Sequence, residues 1–179
     1  PDGTNVFELV IVLMEGGLGT TYLFNHAVVG TEFPVRGPMG HFTLPETIDT
    51  DIFMVCTGTG IAPFRSMVQH IHHNNIPHKD IYLIYGTRKC ADGLYLEEML
   101  DLKQKLPGFH FIPTFSRETI VDEGHCIGYV HAVYEQLLEE KNEAAQFYLC
   151  GWRDMINDAR QRLQQRGVDK KMIHFELYG

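Results

Sequence analysis

The segment Thr57-Gly58-Thr59-Gly60-Ile61-Ala62-Pro63 sets two glycines and two hydroxyls between an apolar run and a stretch of helical period. Glycines let a ligand approach the backbone closely, and the first turn of a helix offers free N–H groups to an anion. The pattern Gly58-x-Gly60-x-x-Pro63 departs from the usual dinucleotide fingerprint, which has glycine where Pro63 stands. A tight turn whose glycines serve geometry alone is the other reading. Three more segments follow apolar runs in the same way: Gly86-Thr87-Arg88, Ser116-Arg117, and Gly151-Trp152 behind Cys150. A guanidinium grips a phosphate through two parallel hydrogen bonds, and a serine hydroxyl can donate beside it. Arg88 has the alternative of pairing with Asp92. Tyr178 and Gly179 follow the last run.

Other residue types are excluded from chemistry by their spacing. Cys56, Cys90, Cys126 and Cys150 are scattered with no C-x-x-C pair, so neither a zinc site nor an iron–sulfur loop is expected, and any iron–sulfur centre belongs to a partner. His70, His72, His73 and His78 have no carboxylate or cysteine at ligand spacing; a solvated helix end is expected, with no metal. Lys plus Arg number 15 against 23 Asp plus Glu, a net charge of −8 that argues against a nucleic-acid partner. The stretch Gly151 to Lys171 runs the other way, with six bases and three acids. Arg153, Arg160, Arg162 and Arg166 there suit either a docking face for an acidic protein or a solvated helix face with its own ion pairs.

These residues need elements to hold them. The chain has 179 residues, 44% hydrophobic and 21% charged, enough for a real core. Five apolar runs of strand length, Ile52–Cys56, Ile81–Tyr85, Phe109–Phe115, Gln146–Cys150 and Met172–Leu177, show little polar alternation, as strands buried on both faces do. Helical stripes lie between them: Phe64, Met67, Val68 and Ile71 behind Pro63 in a first helical position; Leu96, Met99, Leu100 and Leu106; Val130 to Leu138; and Met155 to Leu163. Alternation of this kind predicts an α/β fold, a doubly wound five-stranded parallel sheet with helices on both faces. In such sheets ligands bind outside the carboxyl ends of the strands, where every segment named above falls.

The first 50 residues, with six acids and one base, read differently. Phe7–Met14 and Glu32–Arg36 read as strands, Phe42-Thr43-Leu44 closes the region as a third, Thr20–Ala27 reads as a short helix, and glycine turns separate them, which suggests part of an antiparallel β-barrel. The boundary is placed at 1–47 and 48–179. Three strands and one helix leave a barrel open, so the chain is expected to begin inside its first domain. The longest apolar run, Phe7–Met14, is too short to span a bilayer, and no secretory signal opens the chain; a cytoplasmic protein away from membranes is expected.

Taken together, Gly58-Thr59-Gly60-Ile61-Ala62-Pro63, Tyr85-Gly86-Thr87-Arg88, Ser116-Arg117-Glu118, Cys150-Gly151 and Phe175-Glu176-Leu177-Tyr178 resemble the ferredoxin–NADP reductase family of flavoenzymes. Gly17-Leu18-Gly19-Thr20-Thr21-Tyr22-Leu23 resembles its flavin-phosphate segment, and Arg36-Gly37-Pro38-Met39-Gly40-His41-Phe42 its closing barrel turn. The family's Arg-x-Tyr-Ser/Thr flavin strand has no match in the chain. The resemblance implies a reductase that passes hydride between NAD(P)H and FAD and hands electrons to a ferredoxin, a flavodoxin or an oxygenase component. A reductase component of a multi-component monooxygenase, a non-catalytic NAD(P)H sensor and a structural subunit stay open beside it. It also implies roles: Gly17 and Thr20 on the flavin phosphates; Thr57, Gly58, Thr59, Gly60 and Pro63 beneath the nicotinamide half; Gly86 and Arg88 at the adenosine half; Cys150 and Gly151 beside the reacting carbon. Glu176 would supply a proton or orient the nicotinamide, and Tyr178 would stack on the flavin. A small buried thiol, a solvated carboxylate and a frayed terminus are the plain alternatives for Cys150, Glu176 and Tyr178. Ser116 and Arg117 favour NADPH, with NADH possible, since Glu118 follows at once and no lysine–tyrosine clamp appears before Gly128.

Overall fold

The computed structural model describes residues 5–37, 39–141 and 144–178. Pro38, in the expected barrel turn, and Gly179, beyond the terminal tyrosine, lie outside the described residues. In chain order the elements are α1 (Leu18–His26), β1 (Asp51–Thr57), α2 (Ile61–His73), β2 (Ile81–Thr87), α3 (Leu96–Lys105), β3 (Phe109–Phe115), β4 (Cys126–Ile127), α4 (Val130–Glu140), β5 (Ala145–Gly151), α5 (Arg153–Gln165) and β6 (Ile173–Leu177). All six strands pair in parallel, in the order β4-β3-β2-β1-β5-β6. The sheet therefore has one strand more than expected. Two-residue β4 is too short to leave a periodic trace.

Alternation along β1 feeds two cores. Ile52, Met54 and Cys56 pack with α2 and α3, while Phe53 and Val55 pack with α4 and α5. On the second face a row of rings crosses four strands at one level: His110 on Tyr82 at 4.6 Å, Tyr82 on Phe53 at 4.8 Å, and Phe53 on Phe147 at 5.1 Å. Because side chains repeat every two residues, a one-residue slip of any strand would turn its ring to the wrong face.

At the amino edge, Lys141 Nζ reaches Asp80 at 2.7 Å and Asp51 at 3.1 Å. The Tyr82 hydroxyl donates to Asp80 at 3.1 Å, and His110 Nε2 lies 3.3 Å from the other oxygen of that carboxylate. The Lys141 hydrogen bond is the main reason Asp80 is held at about 2, and the same contact raises Lys141. This cluster sits at the opposite end of the strands from the loops of interest.

The first 50 residues differ from expectation. Phe7–Met14 and Glu32–Arg36 are extended but form no ladder, because no strand among the described residues runs beside them. The partial antiparallel barrel is thus not formed as paired strands here. Helix α1 starts two residues earlier than its apolar pattern suggests and buries none of its side chains. Farther along, Phe42 docks on Phe64 at 5.8 Å and on Tyr148 at 5.6 Å, and Ile48 is buried in the same core, so residues 42–48 lie against the α2 side of the sheet.

Candidate functional site at the carboxyl rim

The strand order reverses between β1 and β5: the chain moves outward from β1 to β4, then returns to the other side of β1 for β5 and β6. The crevice at such a switch point is where open α/β sheets take their ligands. Its walls are the loop after β1 and the loop after β5. Gly58–Gly60 forms one 3-10 turn leading into α2, and Pro63 is the third residue of that helix rather than the first. Its missing N–H still falls among the donors a helix start leaves free, so the position remains suitable.

The two loops interlock through their glycines. A β-carbon on Gly60 would stand 2.3 Å from the Cys150 carbonyl oxygen. One on Gly151, whose φ is +129°, would meet Thr57 Oγ1 at 2.6 Å. Thr57 Oγ1 in turn accepts from Trp152 N–H at 3.2 Å. Gly86 is closed in the same manner by Val130. Gly58 is the exception: exposed, at φ +54°, with nothing within 4 Å of its missing side chain. Of these four glycines, three accommodate neighbouring protein atoms and one faces open space on the rim.

Cys150 lies fully inside, paired in register with Cys56 on β1 and Glu176 on β6. Burial pushes its thiol up to about 12, and the nearby Glu176 charge adds to the rise. Such a thiol is neutral near pH 7 and is no nucleophile. Tyr178 packs on the same core, shares a hydrogen bond with the Cys150 thiol, and is anchored by its N–H to the Gly151 carbonyl at 2.9 Å. Burial also raises the Tyr178 phenol. Tyr178 thus packs into the fold rather than projecting from it, and Glu176 is exposed on the edge strand.

Across the crevice, the loops after β2 and β3 are stitched together. Arg117 N–H donates to the Arg88 carbonyl at 2.8 Å, and Ser116 N–H to the Thr87 carbonyl at 3.0 Å. The Ser116 hydroxyl also donates to that carbonyl, at 3.4 Å. Glu118 accepts from Cys90 N–H at 3.1 Å, and Asp92 accepts from Lys89 N–H rather than pairing with Arg88. Both guanidiniums, Arg88 and Arg117, are exposed, and among the described residues neither meets a carboxylate. This is the chemistry of an anion site.

Two exposed aromatic rings complete the rim. Tyr129 follows Gly128, whose N–H donates to the Phe115 carbonyl at 2.9 Å, and so it flanks the Ser116 loop. Trp152 stands at the start of α5 beside Thr57. Tyr129 was missed by sequence reasoning because it hangs on two-residue β4, although it stands one residue past the interval searched for a tyrosine clamp. Thr20 and Gly17 lie elsewhere, at the start of α1. The Thr20 hydroxyl accepts from Met14 N–H at 3.1 Å, folding back into its own turn, while the first N–H groups of α1 remain free for an anion.

The remaining candidates separate. His70 contacts Asn74, and His78 Nδ1 contacts the Lys79 carbonyl; among the described residues no group of three or more ligand-type side chains gathers. Nor do the four arginines of the basic stretch form one free face. Arg162 binds Glu135 and Asp158, Arg166 binds Glu139, and Arg160 lies over the Phe175 ring at 4.1 Å, so ion pairs between α4 and α5 consume two of them. Among the described residues no helix is long and apolar enough to cross a membrane.

Comparison with known proteins agrees with this geometry. Residues 54–161 match the family described as oxidoreductase NAD-binding domain. The chain is 30% identical over 187 residues to a propane 2-monooxygenase reductase component of Mycolicibacterium goodii, covering 99% of this chain and 52% of that protein. It is 29% identical over 185 residues to ferredoxin–NADP reductase B of Sorangium cellulosum (strain So ce56), covering 99% of this chain and 74% of that one. The crystal structure of the Amycolatopsis cytochrome P450 reductase GcoB superposes with a TM-score of 0.81 at 24% identity, over 93% of this chain and 50% of that one. The chain spans about half the length of the first relatives it matches. With a doubly wound sheet, two unpaired guanidiniums on the rim at its switch point and a family match over most of that sheet, the chain belongs to the oxidoreductase NAD-binding domain family, among the ferredoxin–NADP reductase-like proteins.

Proposed function

We propose that this chain is the coenzyme-binding part of a flavin-dependent oxidoreductase that moves hydride between NAD(P)H, with NADPH preferred, and FAD. Electrons then pass to a ferredoxin, a flavodoxin or an oxygenase component. The observation that carries this reading is the combination at one rim of open Gly58, two unpaired guanidiniums and two exposed rings around the switch point. Its relatives' names, an oxygenase reductase component and a ferredoxin–NADP reductase, point the same way.

Each residue's task follows from its setting. Gly58 lets the coenzyme backbone lie against the Thr57–Gly60 turn, which sets the positive end of α2 beside its pyrophosphate. Arg117, with Arg88 beside it, grips the adenosine-side phosphate, and Tyr129 offers a flat surface for the purine. Gly60, Gly151 and Gly86 act indirectly, by letting the loops close to this spacing. The neutral Cys150 thiol gives the nicotinamide ring a soft, uncharged neighbour, and Tyr178 occupies the place above it until the ring arrives. Glu176 stands next to both, exposed, able to orient a polar group. FAD, when bound, supplies an acceptor for hydride and a donor of single electrons. The parts of this chain that would hold its phosphates are the free donors of α1, with Gly17 and Thr20 closing the turn before them. Residues 1–47 then belong to the flavin side and 48–179 to the coenzyme side.

The absorption spectrum of the natural protein tests the reading. Flavin bands that bleach on anaerobic addition of NADPH are expected. A colourless protein that binds NADPH would make it a sensing module, and one that ignores both coenzymes would refute the reading altogether.

A further inference from the structure

We infer that Glu8, Tyr95 and Arg65 form a clasp that fixes the flavin-side segment against the coenzyme rim, making them positioning residues for hydride transfer. The inference rests on the proposed function above. Arg65 lies in the second turn of α2, just below the Thr57–Gly60 turn, and Tyr95 is the residue before α3, past the Arg88 loop. Both anchors therefore sit at the carboxyl edge of the sheet.

Arg65 and Tyr95 are held by contacts of their own besides those with Glu8. Glu98 takes Arg65 Nε with both oxygens, at 2.8 and 2.9 Å, and Gln69 donates to Glu98 at 2.7 Å. The guanidinium then lies over the Tyr95 ring, 4.3 Å from its centroid. With Nε held, the Nη1 end turns outward, 3.6 Å from the Glu8 carboxylate. The Tyr95 hydroxyl donates to the same carboxylate. Tyr95 adopts φ +57°, a left-handed conformation that costs a bulky side chain energy and persists only where its surroundings fix it. Here the strain serves to aim the phenol at a residue 87 positions earlier.

On either side of Glu8, Phe7 and Leu9 are exposed, and Phe7–Met14 forms no ladder with any strand among the described residues. That run leads directly into the turn from Met14 to Thr20, at the start of α1. A clasp at Glu8 therefore sets where the α1 start lies relative to the Gly58 rim. Hydride transfer depends steeply on such spacing, since about 1 Å of misplacement can cost a hundredfold in rate.

The test uses the natural, FAD-loaded protein with Glu8→Ala, Tyr95→Phe, the double variant and Glu8→Gln, which still accepts from the Tyr95 hydroxyl. Stopped-flow reduction by NADPH should slow roughly tenfold or more in Glu8→Ala and Tyr95→Phe. NADP+ affinity, read from Trp152 fluorescence, should move less than about twofold, because the rim itself is intact. The double variant should be no slower than Glu8→Ala, and Glu8→Gln should recover most of the rate. Independently of flavin, Tyr95→Phe should speed chymotryptic cleavage after Phe7 several-fold, with the segment's own sequence unaltered. Unchanged reduction rates, losses that multiply in the double variant, or unchanged cleavage would each overturn the clasp. A wild-type flavin that NADPH and NADH both leave oxidised would instead refute the proposed function, and the positioning role with it.

Discussion

Replacing Lys141 by Met tests whether the amino-edge cluster is a working part of the fold. The substitution keeps most of the side-chain volume and removes one cation from between two carboxylates. Asp80 has its pKa lowered from 3.8 to about 2, first by the Lys141 hydrogen bond. For a shielded group that drop corresponds to about 2.5 kcal/mol. Asp80 keeps 37% of its side-chain surface exposed, so screening reduces the figure to about 1 kcal/mol. Asp51 is more confined, with 7% exposed, and would keep only the Asp80 N–H at 3.2 Å from its carboxylate. Losing a charged partner in that setting costs about 1–2 kcal/mol more. The expected loss at pH 7 is thus about 2–3 kcal/mol, or roughly 5–10 °C in Tm for a domain of this size. The sign of the pH dependence is fixed as well. A carboxylate whose folded pKa is depressed stabilises above its unfolded value of about 3.9 and loses that contribution as pH falls toward 2. Wild type and Lys141→Met should therefore converge by about 1 kcal/mol between pH 5 and pH 2.5, as read by urea unfolding followed by circular dichroism. A difference below about 0.5 kcal/mol at pH 7, or a gap that stays constant into acid, would refute the reasoning.

Gly60→Ala should cost about 3 kcal/mol or more, or prevent soluble expression, because its β-carbon would enter the Cys150 carbonyl; Gly58→Ala, with open space around it, should cost about 1 kcal/mol for its positive φ. Chemical denaturation of both variants decides this, and the reverse order would remove the interlock. Iodoacetamide at pH 8 should label exposed Cys90 in the native protein and leave Cys150 unmodified until unfolding, since Cys150 is buried with its thiol pushed up to about 12; equal labelling by mass spectrometry would contradict the burial. Arg117→Ala should raise KM for NADPH about tenfold or more, the worth of a charge-assisted phosphate contact, and KM for NADH less than about threefold. Equal small effects on both would take Arg117 out of the site.

The parallel sheet was legible because buried strands lack alternation: Ile52–Cys56 and Ile81–Tyr85 read as strands from composition alone, and the stripe Phe64-Met67-Val68-Ile71 became the buried face of α2. The rim was legible for a related reason, since a loop that follows a buried strand is placed by it. Four things were not legible. Strand β4 is held by its neighbour, Thr114 to Cys126 and Phe115 to Ile127, and two residues have no period of their own. Phe7–Met14 carries strand composition, but a strand is a pairing, and sequence cannot say whether a partner lies alongside. The division of labour among the glycines was hidden too. Gly58 and Gly60 look alike on paper; in the structure Gly58 has a positive φ and open space, while a β-carbon on Gly60 would stand 2.3 Å from a carbonyl of β5. Long-range contacts between side chains, such as Arg162 with Glu135, were equally out of reach, so a basic stretch looked freer than it is.

The glycine interlock between the turn after β1 and the turn after β5 has a consequence for how such a scaffold can change. The seam tolerates almost no alteration, because backbone fills the space on both sides. The segments that would discriminate between coenzymes hang on β2 and β3, joined to each other mainly by main-chain bonds whose formation is indifferent to side-chain identity. On the proposed function, architecture and selectivity would therefore reside on separate strands. A lineage, or an engineer, could then exchange Ser116–Glu118 for a segment of opposite preference while the hinge-pin at the middle of the sheet stays untouched.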